Sequence, residues 1–417
     1  MLTPADIALC GLDPAALFAP LSGRKTIGLA VSGGADSLAL MLLYAAWSDT
    51  KPRAIVYTVD HGLRPEARAE AAMVAAEAEK LGLSCRILVW TGEKPSTGKQ
   101  SAARAARYGL IAQAMEADGA EILLTAHHQR DQAETVLMRL AHGSGVSGLG
   151  GMREISQLDA VSVFRPLLAV PPQTLATLVA RAGLSPALDP SNADLAYERT
   201  RWRDALPGLA ELGLGPDRLS KAAERLQRID ALAKQVTGGF IVEHASLDPL
   251  GIVRIGREAF DTADPEIRVR VIERALSAAS GTQSFFLSRT EALAGRIAGG
   301  EHFTATLAGA RVLADANTIV IHREAGREGL PGAELAPGQT LVWDGRFAVA
   351  AAIAGTIGPA VGLTRGAFRA LTGRVLAGPV AGLRAAPLVR DARGQIVAIG
   401  GIKVAEGFSV EQIPLTS

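Results

Sequence analysis

Through the first half of the chain, short apolar runs alternate with longer stretches whose apolar residues recur at helical spacing. Residues 26–31, 53–59, 85–90, 121–126 and 161–164 read as strands. Between them lie patterns such as residues 65–81, where Pro65 suits a first helical turn and Ala67, Ala71, Val74, Ala78 and Leu81 share one face. Strands that alternate with helices predict an α/β fold built on a parallel sheet with right-handed crossovers. Ligands of such sheets bind beyond the carboxyl ends of the strands, so the residues following each strand are where chemistry is expected.

After about Arg203 the alternation stops. Residues 217–235 form a helical pattern with Leu219, Ala222, Leu226, Ile229 and Leu232 on one stripe, and Asp264-Pro265 and Ser288 mark further helix starts. Residues 303–323 read as a β-hairpin, and beyond Pro331 glycine and proline separate short β-like runs such as 340–343 and 395–399. A chain of 417 residues exceeds one ordinary core. Three domains are expected: an α/β domain over 1–205, a mainly helical one over 206–328 and a small α+β one over 329–417.

Composition narrows the setting. Hydrophobic residues make up 48% and charged residues 20%, which argues against extended disorder. No uncharged apolar run reaches membrane-spanning length, and residues 1–24 show no export signal. With only Cys10 and Cys85, neither a disulfide framework nor a CxxC redox pair can form, so the cytoplasm is the expected compartment. The net charge of +1 hides an asymmetry: residues 1–200 sum to −2 and residues 351–417 to +4. The tail is the basic end.

Chemistry concentrates where strands end. Residues 27–31 run into Ser32-Gly33-Gly34-Ala35-Asp36-Ser37 and then into an apolar helical stretch. Two glycines let the backbone approach a phosphate chain, two hydroxyls can donate, and a helix N-terminus favours anions. Asp36 would repel phosphates unless a divalent cation lies between, so it points to Mg²⁺. Two other glycine patterns lack the right context. Residues 92–100 place five residues between the glycines of a P-loop-like segment and put Gln100 where a hydroxyl belongs, and residues 143–148, spelling GxGxxG, follow a helix rather than a strand. His127 and His128 lack a third ligand at metal spacing. Of the two, His128, three residues before Asp131, is the better functional candidate.

The segment SGGADS resembles the SGGxDS signature of the PP-loop ATP pyrophosphatases, which split ATP between its α and β phosphates. Residues 59–64, VDHGLR, and 126–135, AHHQRDQAET, are similar to segments of the lysidine synthetases within that family. Residues 103–108, 165–168 and 189–192 match further segments in the same order, and 343–347, WDGRF, matches one near the C-terminus. The resemblance is strong from about Gly23 to Arg203. Arg130, Gln100 and Thr200 depart from it, standing where the family usually has Asp, Glu and Arg-Asn.

The resemblance implies a parallel-sheet PP-loop domain, followed by helical and α+β parts that bind tRNA. It implies ATP held by Ser32, Gly33, Gly34, Ala35, Asp36 and Ser37, Mg²⁺ held by Asp36 through the nucleotide, and Arg104 facing phosphate charge. The implied reaction joins L-lysine to C2 of the wobble cytidine in an isoleucine tRNA with a CAU anticodon, through an adenylated cytidine. At pH 7 only about one lysine ε-amine in 2,500 is neutral, so a proton must be removed, and Asp131 or His128 could take it. A homodimer is compatible with this reading, and no membrane is involved. The basic residues Arg365, Arg369, Arg374, Arg384, Arg390, Arg393 and Lys403 are expected to meet tRNA phosphates. The rival readings are a tRNA thiolase, for which the two cysteines are badly placed, and a non-catalytic nucleotide sensor.

Overall fold

A computed structural model describes residues 4–47, 51–63, 65–92, 94, 99–158, 161–187, 194, 196–282 and 286–415. The chain divides into two compact units, Met1–Ile229 and Asp230–Ser417.

In the first unit, α1 (Pro4–Leu9) and α2 (Pro14–Phe18) precede β1 (Thr26–Ala30), α3 (Ala35–Ala46), β2 (Arg53–Asp60), α4 (Ala67–Lys80) and β3 (Ser84–Val89). Then come α5 (Lys99–Asp118), β4 (Leu123–Leu124), α6 (Gln129–Ala141), α7 (Val146–Leu149), β5 (Ile155–Leu158), β6 (Val161–Phe164), α8 (Pro172–Arg181), α9 (Glu198–Glu211) and α10 (Pro216–His244), of which the residues through Ile229 belong to this unit. All five expected strands form, in the sheet order β3-β2-β1-β4-β6-β5. Every pairing is parallel except that of β5 with β6. The edge strand β5 escaped the sequence reading because its four residues alternate between exposed and half-buried, with no apolar run to mark them.

Strand order reverses at β1, with β2 and β3 on one side and β4 and β6 on the other, which opens a crevice at the carboxyl ends of β1 and β4. Helix α3 is apolar on all sides, so it is buried along most of its length between the sheet and α8. Its N-terminus is thereby fixed at the crevice. As expected, Ala67, Ala71, Val74 and Ala78 form the buried face of α4.

The long helix α10 exists where expected, but its buried face is not the apolar stripe. Leu219 and Ala223 face inward, whereas Ala222, Ile229 and Leu232 are exposed. The helix is turned because polar groups inside it find partners. Asp230, fully buried, accepts from Arg270 Nη1 at 2.8 Å, and Gln227 Nε2 donates to the carbonyls of Gly150 and Met152.

The second unit contains β7 (Ala245–Leu247), β8 (Val253–Gly256), α11 (Arg257–Thr262), α12 (Pro265–Ser280), α13 (Leu287–Ala298), β9 (Phe303–Leu307), β10 (Ala310–Ala314) and β11 (Thr318–Arg323). These strands form an antiparallel sheet, β7-β8-β11-β10-β9, packed on α12 and α13. The remainder is rich in strands: β12 (Ala333–Leu335), β13 (Thr340–Trp343), β14 (Phe347–Ala351), β15 (Gly355–Pro359), β16 (Pro387–Asp391), β17 (Ile396–Ile399), β18 (Ile402–Lys403) and β19 (Phe408–Gln412). Between β15 and β16 lie α14 (Arg365–Thr372) and α15 (Val380–Arg384). Leu250 and Ile252 share a core with Phe368, Leu383 and Leu388, so the strand-rich tail and the preceding segment pack as one body. Among the described residues, no helix is long and apolar enough to cross a membrane.

Candidate active site

The loop from Val31 to Gly34 is shaped from within. Ser37 Oγ accepts from the amide of Ser32 at 3.2 Å and donates to the carbonyl of Gly34 at 2.9 Å, drawing the chain around the first turn of α3. Gly33 has φ +86°, and a Cβ there would meet Met73 Cε at 3.2 Å and Val74 Cγ2 at 3.4 Å. A side chain at that position would strain the backbone and press on α4. Gly34 differs: its φ of −71° suits any residue, and a Cβ would find only Ser32 Oγ, at 3.8 Å. The bare backbone at Gly34 faces open space at a helix N-terminus, where an anionic chain can approach the unpaired N–H groups.

That space belongs to a cavity of about 380 Å³ over the reversal of strand order. Ser32, Gly34 and Asp36 line it from the loop, Thr58 and His61 from the end of β2, and Glu70 from α4. Arg104, Arg107 and Tyr108 line it from α5, and Thr125 and His127 from the end of β4. The guanidinium of Arg104 sits 5.1 Å from the centroid of the Tyr108 ring. Burial pushes the His127 imidazole down to about 4, against the pull of Asp131, and its Nδ1 lies 2.8 Å from Thr125 Oγ1. His127 is therefore a neutral, polar wall of the cavity at neutral pH.

A line of charged and polar groups leads from the loop to α9. His128 is the N-cap of α6: its Nδ1 accepts from the amide of Asp131 at 3.3 Å, while Asp131 Oδ2 accepts from the amide of His128 at 3.0 Å, a reciprocal capping box. The other ring nitrogen, Nε2, faces Asp36 Oδ2, 3.4 Å away. Burial pushes the Asp131 carboxyl up, but His128 and Arg199 outweigh it and hold it below the usual carboxylate range. Arg199 Nη2 donates to Asp131 Oδ1 at 3.0 Å, and Arg199 Nε to Glu134 Oε2 at 2.6 Å. Glu134, fully buried, also accepts from Arg203 Nε at 2.7 Å, and this hydrogen bond raises the Arg203 pKa.

All four expected catalytic residues therefore meet at one edge of the sheet. Asp36 and Arg104 line the cavity, whereas His128 and Asp131 are tucked behind Asp36 as part of the helix cap. The sequence reading gave no role to Glu134, Arg199, Arg203, Glu70, Arg107 or Tyr108. One signal was present: Arg199 and Arg203 stand at i and i+4, the spacing that puts both on one face of a helix. Arg130, where the family usually has Asp, turns its Nε to within 3.8 Å of Glu134 Oε1 and joins the same cluster. Arg165 is a framework residue, its Nη1 donating to the carbonyl of Arg153 and to Ser156 Oγ, both at 2.8 Å. Residues 189–192 and the side chain of Gln100 lie outside the described residues.

Asp36 is the cavity carboxylate suited to a metal. Its side chain is 41% exposed beside the bare backbone of Gly34, and Mg²⁺ commonly takes one or two carboxylates and completes its shell with phosphate oxygens and water. Among the described residues no set of three His, Cys, Asp or Glu side chains converges on a metal position, and a nucleotide-bound Mg²⁺ needs none.

Comparison with known proteins places the chain in a family. A PP-loop domain family model matches residues 13–209. A tRNA(Ile)-lysidine synthase from a Bradyrhizobium strain is 43% identical over 293 residues, covering 67% of this chain and 82% of the relative. One from Rhodopseudomonas palustris is 45% identical over 292 residues, 69% of this chain and 84% of the relative. One from Anaplasma marginale is 34% identical over 340 residues, 79% of this chain and 71% of the relative.

Proposed function

The chain belongs to the tRNA(Ile)-lysidine synthase family, and from that premise we propose that it joins L-lysine to C2 of the wobble cytidine of an isoleucine tRNA with a CAU anticodon, consuming ATP. The observation that carries this reading is the juxtaposition of the bare Gly34 backbone with Asp36 and Arg104 around one cavity. In the first step O2 of the cytidine attacks the α phosphorus of ATP, the α–β bond breaks and pyrophosphate leaves. In the second, the lysine ε-nitrogen forms a bond to C2, the C2–O bond breaks, AMP departs with that oxygen, and the nitrogen loses its proton. Activation is needed because oxide cannot leave C2, whereas AMP can.

Residues 32–37 hold the polyphosphate with backbone N–H groups and the exposed Ser32 hydroxyl, and Arg104 meets phosphate charge from α5. Asp36 would hold Mg²⁺, which neutralises phosphate charge when bound. His128 and Asp131 act as positioning residues. The Nε2 of His128 orients the Asp36 carboxylate, and Asp131 holds the His128 ring in place through the cap and ties it to Arg199. Asp131, held below the usual carboxylate range, is a weak base, which favours this orienting role over removal of the ε-amine proton. The helical segment 206–328 and the tail 329–417 contact the tRNA, and the reaction takes place in the cytoplasm.

The test is incubation with ATP, labelled lysine and separate transcripts of isoleucine and methionine tRNAs that share the CAU anticodon. Label in the isoleucine transcript alone, with one AMP per lysine, supports the proposal. AMP formation without label transfer, or label in neither transcript, refutes it. A nucleotide sensor would bind ATP without any AMP appearing.

A further inference from the structure

Helix α10 packs by one face only. Leu219, Ser220, Ala223 and Gln227 turn inward, and Ser220 Oγ lies 3.4 Å from the carbonyl of Gln129, the residue directly after the His128 cap. At about 100° per residue, Arg218, Lys221, Arg225 and Arg228 fall within about 80° of one another on the opposite side. All four are exposed. They follow an i, i+3, i+7, i+10 spacing and span about 15 Å of helix. Lys221 is paired only with exposed Glu224, at 2.7 Å, a surface ion pair of little strength, and Arg218 gives one nitrogen to the carbonyl of Gly213 at 3.2 Å. Arg225 and Arg228 make no hydrogen bond or ion pair among the described residues.

We propose that this basic ridge is an RNA-backbone contact that holds the tRNA strand beside the active site in the first unit, independently of the basic tail. The argument is charge complementarity and register. Successive positive groups 4.5 to 6 Å apart along a helix, by the rise of about 1.5 Å per residue, match a run of phosphates, and flexible Lys and Arg stems absorb the mismatch. A ridge opposite the packed face costs no burial and does not disturb the core. Such contacts position the strand without reading sequence, which suits a site that must receive one anticodon base from a long substrate. The ridge thus rests on tRNA being the substrate.

The experiment replaces Arg218, Lys221, Arg225 and Arg228 together by Gln, which keeps helix propensity. Binding of the isoleucine transcript is titrated at several salt concentrations, alongside lysine transfer at saturating RNA. The expected result is a dissociation constant raised about tenfold or more at low salt and a log–log salt slope reduced by about two to three, with kcat unchanged. If the fourfold variant melts early, Arg225→Gln with Arg228→Gln serves instead, with an expected slope change of about one to two. An unchanged salt slope in a folded variant overturns the ridge while leaving the proposed activity intact. Absence of lysine transfer by the unaltered protein, with the slope still reduced in the variant, overturns the activity and keeps the ridge. The exposed stripe continues in Leu232 and Val236. If sedimentation shows a dimer that the substitutions dissociate, and RNA affinity falls only in proportion, a second copy covers the stripe and the proposal fails.

Discussion

Residues 126–135 and 343–347 are both charged motifs flanked by apolar runs, yet the fold uses their charges in opposite ways. In the first, Asp131 and Glu134 gather Arg199, Arg203 and Arg130, and the cluster is joined through His128 to Asp36 on a cavity wall. In the second, Arg346 is 1% exposed, donates to Asp344 Oδ2 at 2.9 Å and to the carbonyl of Ala385 at 2.7 Å, and stacks near Trp343 and Phe347. Arg323 completes it by donating both Nε and Nη2 to Asp344. The turn that presents this cluster packs so closely on the C-terminus of α12 that a Cβ on Gly281 would collide with the carbonyl of Asp344. A recurring sequence motif can therefore be a clamp as readily as a site. The distinction lies in where the donors point, toward a cavity or toward backbone carbonyls.

The largest effect should come from the clamp. Arg346→Met takes a charged donor from both Asp344 and the buried carbonyl of Ala385 and is expected to cost about 3–5 kcal/mol. Urea unfolding measures this, and nucleotide affinity of the remaining folded protein should be unchanged. A folded, stable Arg346→Met variant that had lost RNA modification would place a function in the clamp and erase the contrast. Next comes Asp36→Asn, which conserves volume while removing the carboxylate charge. Turnover should fall about 10²–10³-fold with no shift in melting temperature, the reverse of the clamp result.

How much of this contrast the sequence revealed depends on range. The loop 32–37 was legible because strand, glycines and helix are contiguous and Ser37 shapes it from within a few residues, although the amide of Ala187, far along the chain, also donates to the carbonyl of Gly33 at 2.9 Å. The cap was half legible: the spacing of His128 and Asp131 is that of an N-cap and N3, but only the fold shows that Nε2 reaches Asp36. The pairing of Glu134 with Arg199 and Arg203 crosses more than sixty residues, and no periodicity encodes it. The register of α10 was misread for the same reason. Its apolar stripe outvotes Asp230 by composition, but Arg270, forty residues away, makes burial of Asp230 favourable and turns Ile229 and Leu232 to solvent.

A smaller effect follows from His127. Its folded pKa of about 4 lies below the ordinary value of 6.5, so the unfolded chain takes up a proton where the folded one does not. The stability from keeping the ring neutral is complete above pH 6.5 and is lost as pH falls through that value toward 4. Over that interval the unaltered protein should lose roughly 2–3 kcal/mol that His127→Gln does not lose. Parallel unfolding curves at pH 7 and pH 4.5 measure the difference. A loss of equal size in the variant would assign the acid sensitivity to other groups. The Asp131 contribution is separable, because a depressed carboxylate loses its stabilisation only below the ordinary range of about 3.9.

The smallest effect divides the basic tail by the same criterion as the two motifs. Arg365 donates to the carbonyls of Leu376 and Gly378 at 3.0 and 2.9 Å, Arg390 to that of Gly394 at 2.9 Å, and Lys403 pairs with Glu406. The guanidinium groups of Arg369, Arg374, Arg384 and Arg393 make no hydrogen bond or ion pair among the described residues, so they are the ones open to phosphates. Deleting the tail would confuse the two groups, because it would also uncover Leu250 and Ile252 in the shared core. Point substitutions keep them apart. Arg365→Met should cost about 1–2 kcal/mol of stability, since two backbone carbonyls lose a charged donor, and should leave the salt slope of tRNA binding where it was. Arg369→Gln should do the reverse, with stability unchanged within about 0.5 kcal/mol and the slope smaller by a little under one. If both substitutions reduce the slope equally, exposure alone governs phosphate contact in the tail, and the direction of the donors does not separate clamp from contact there.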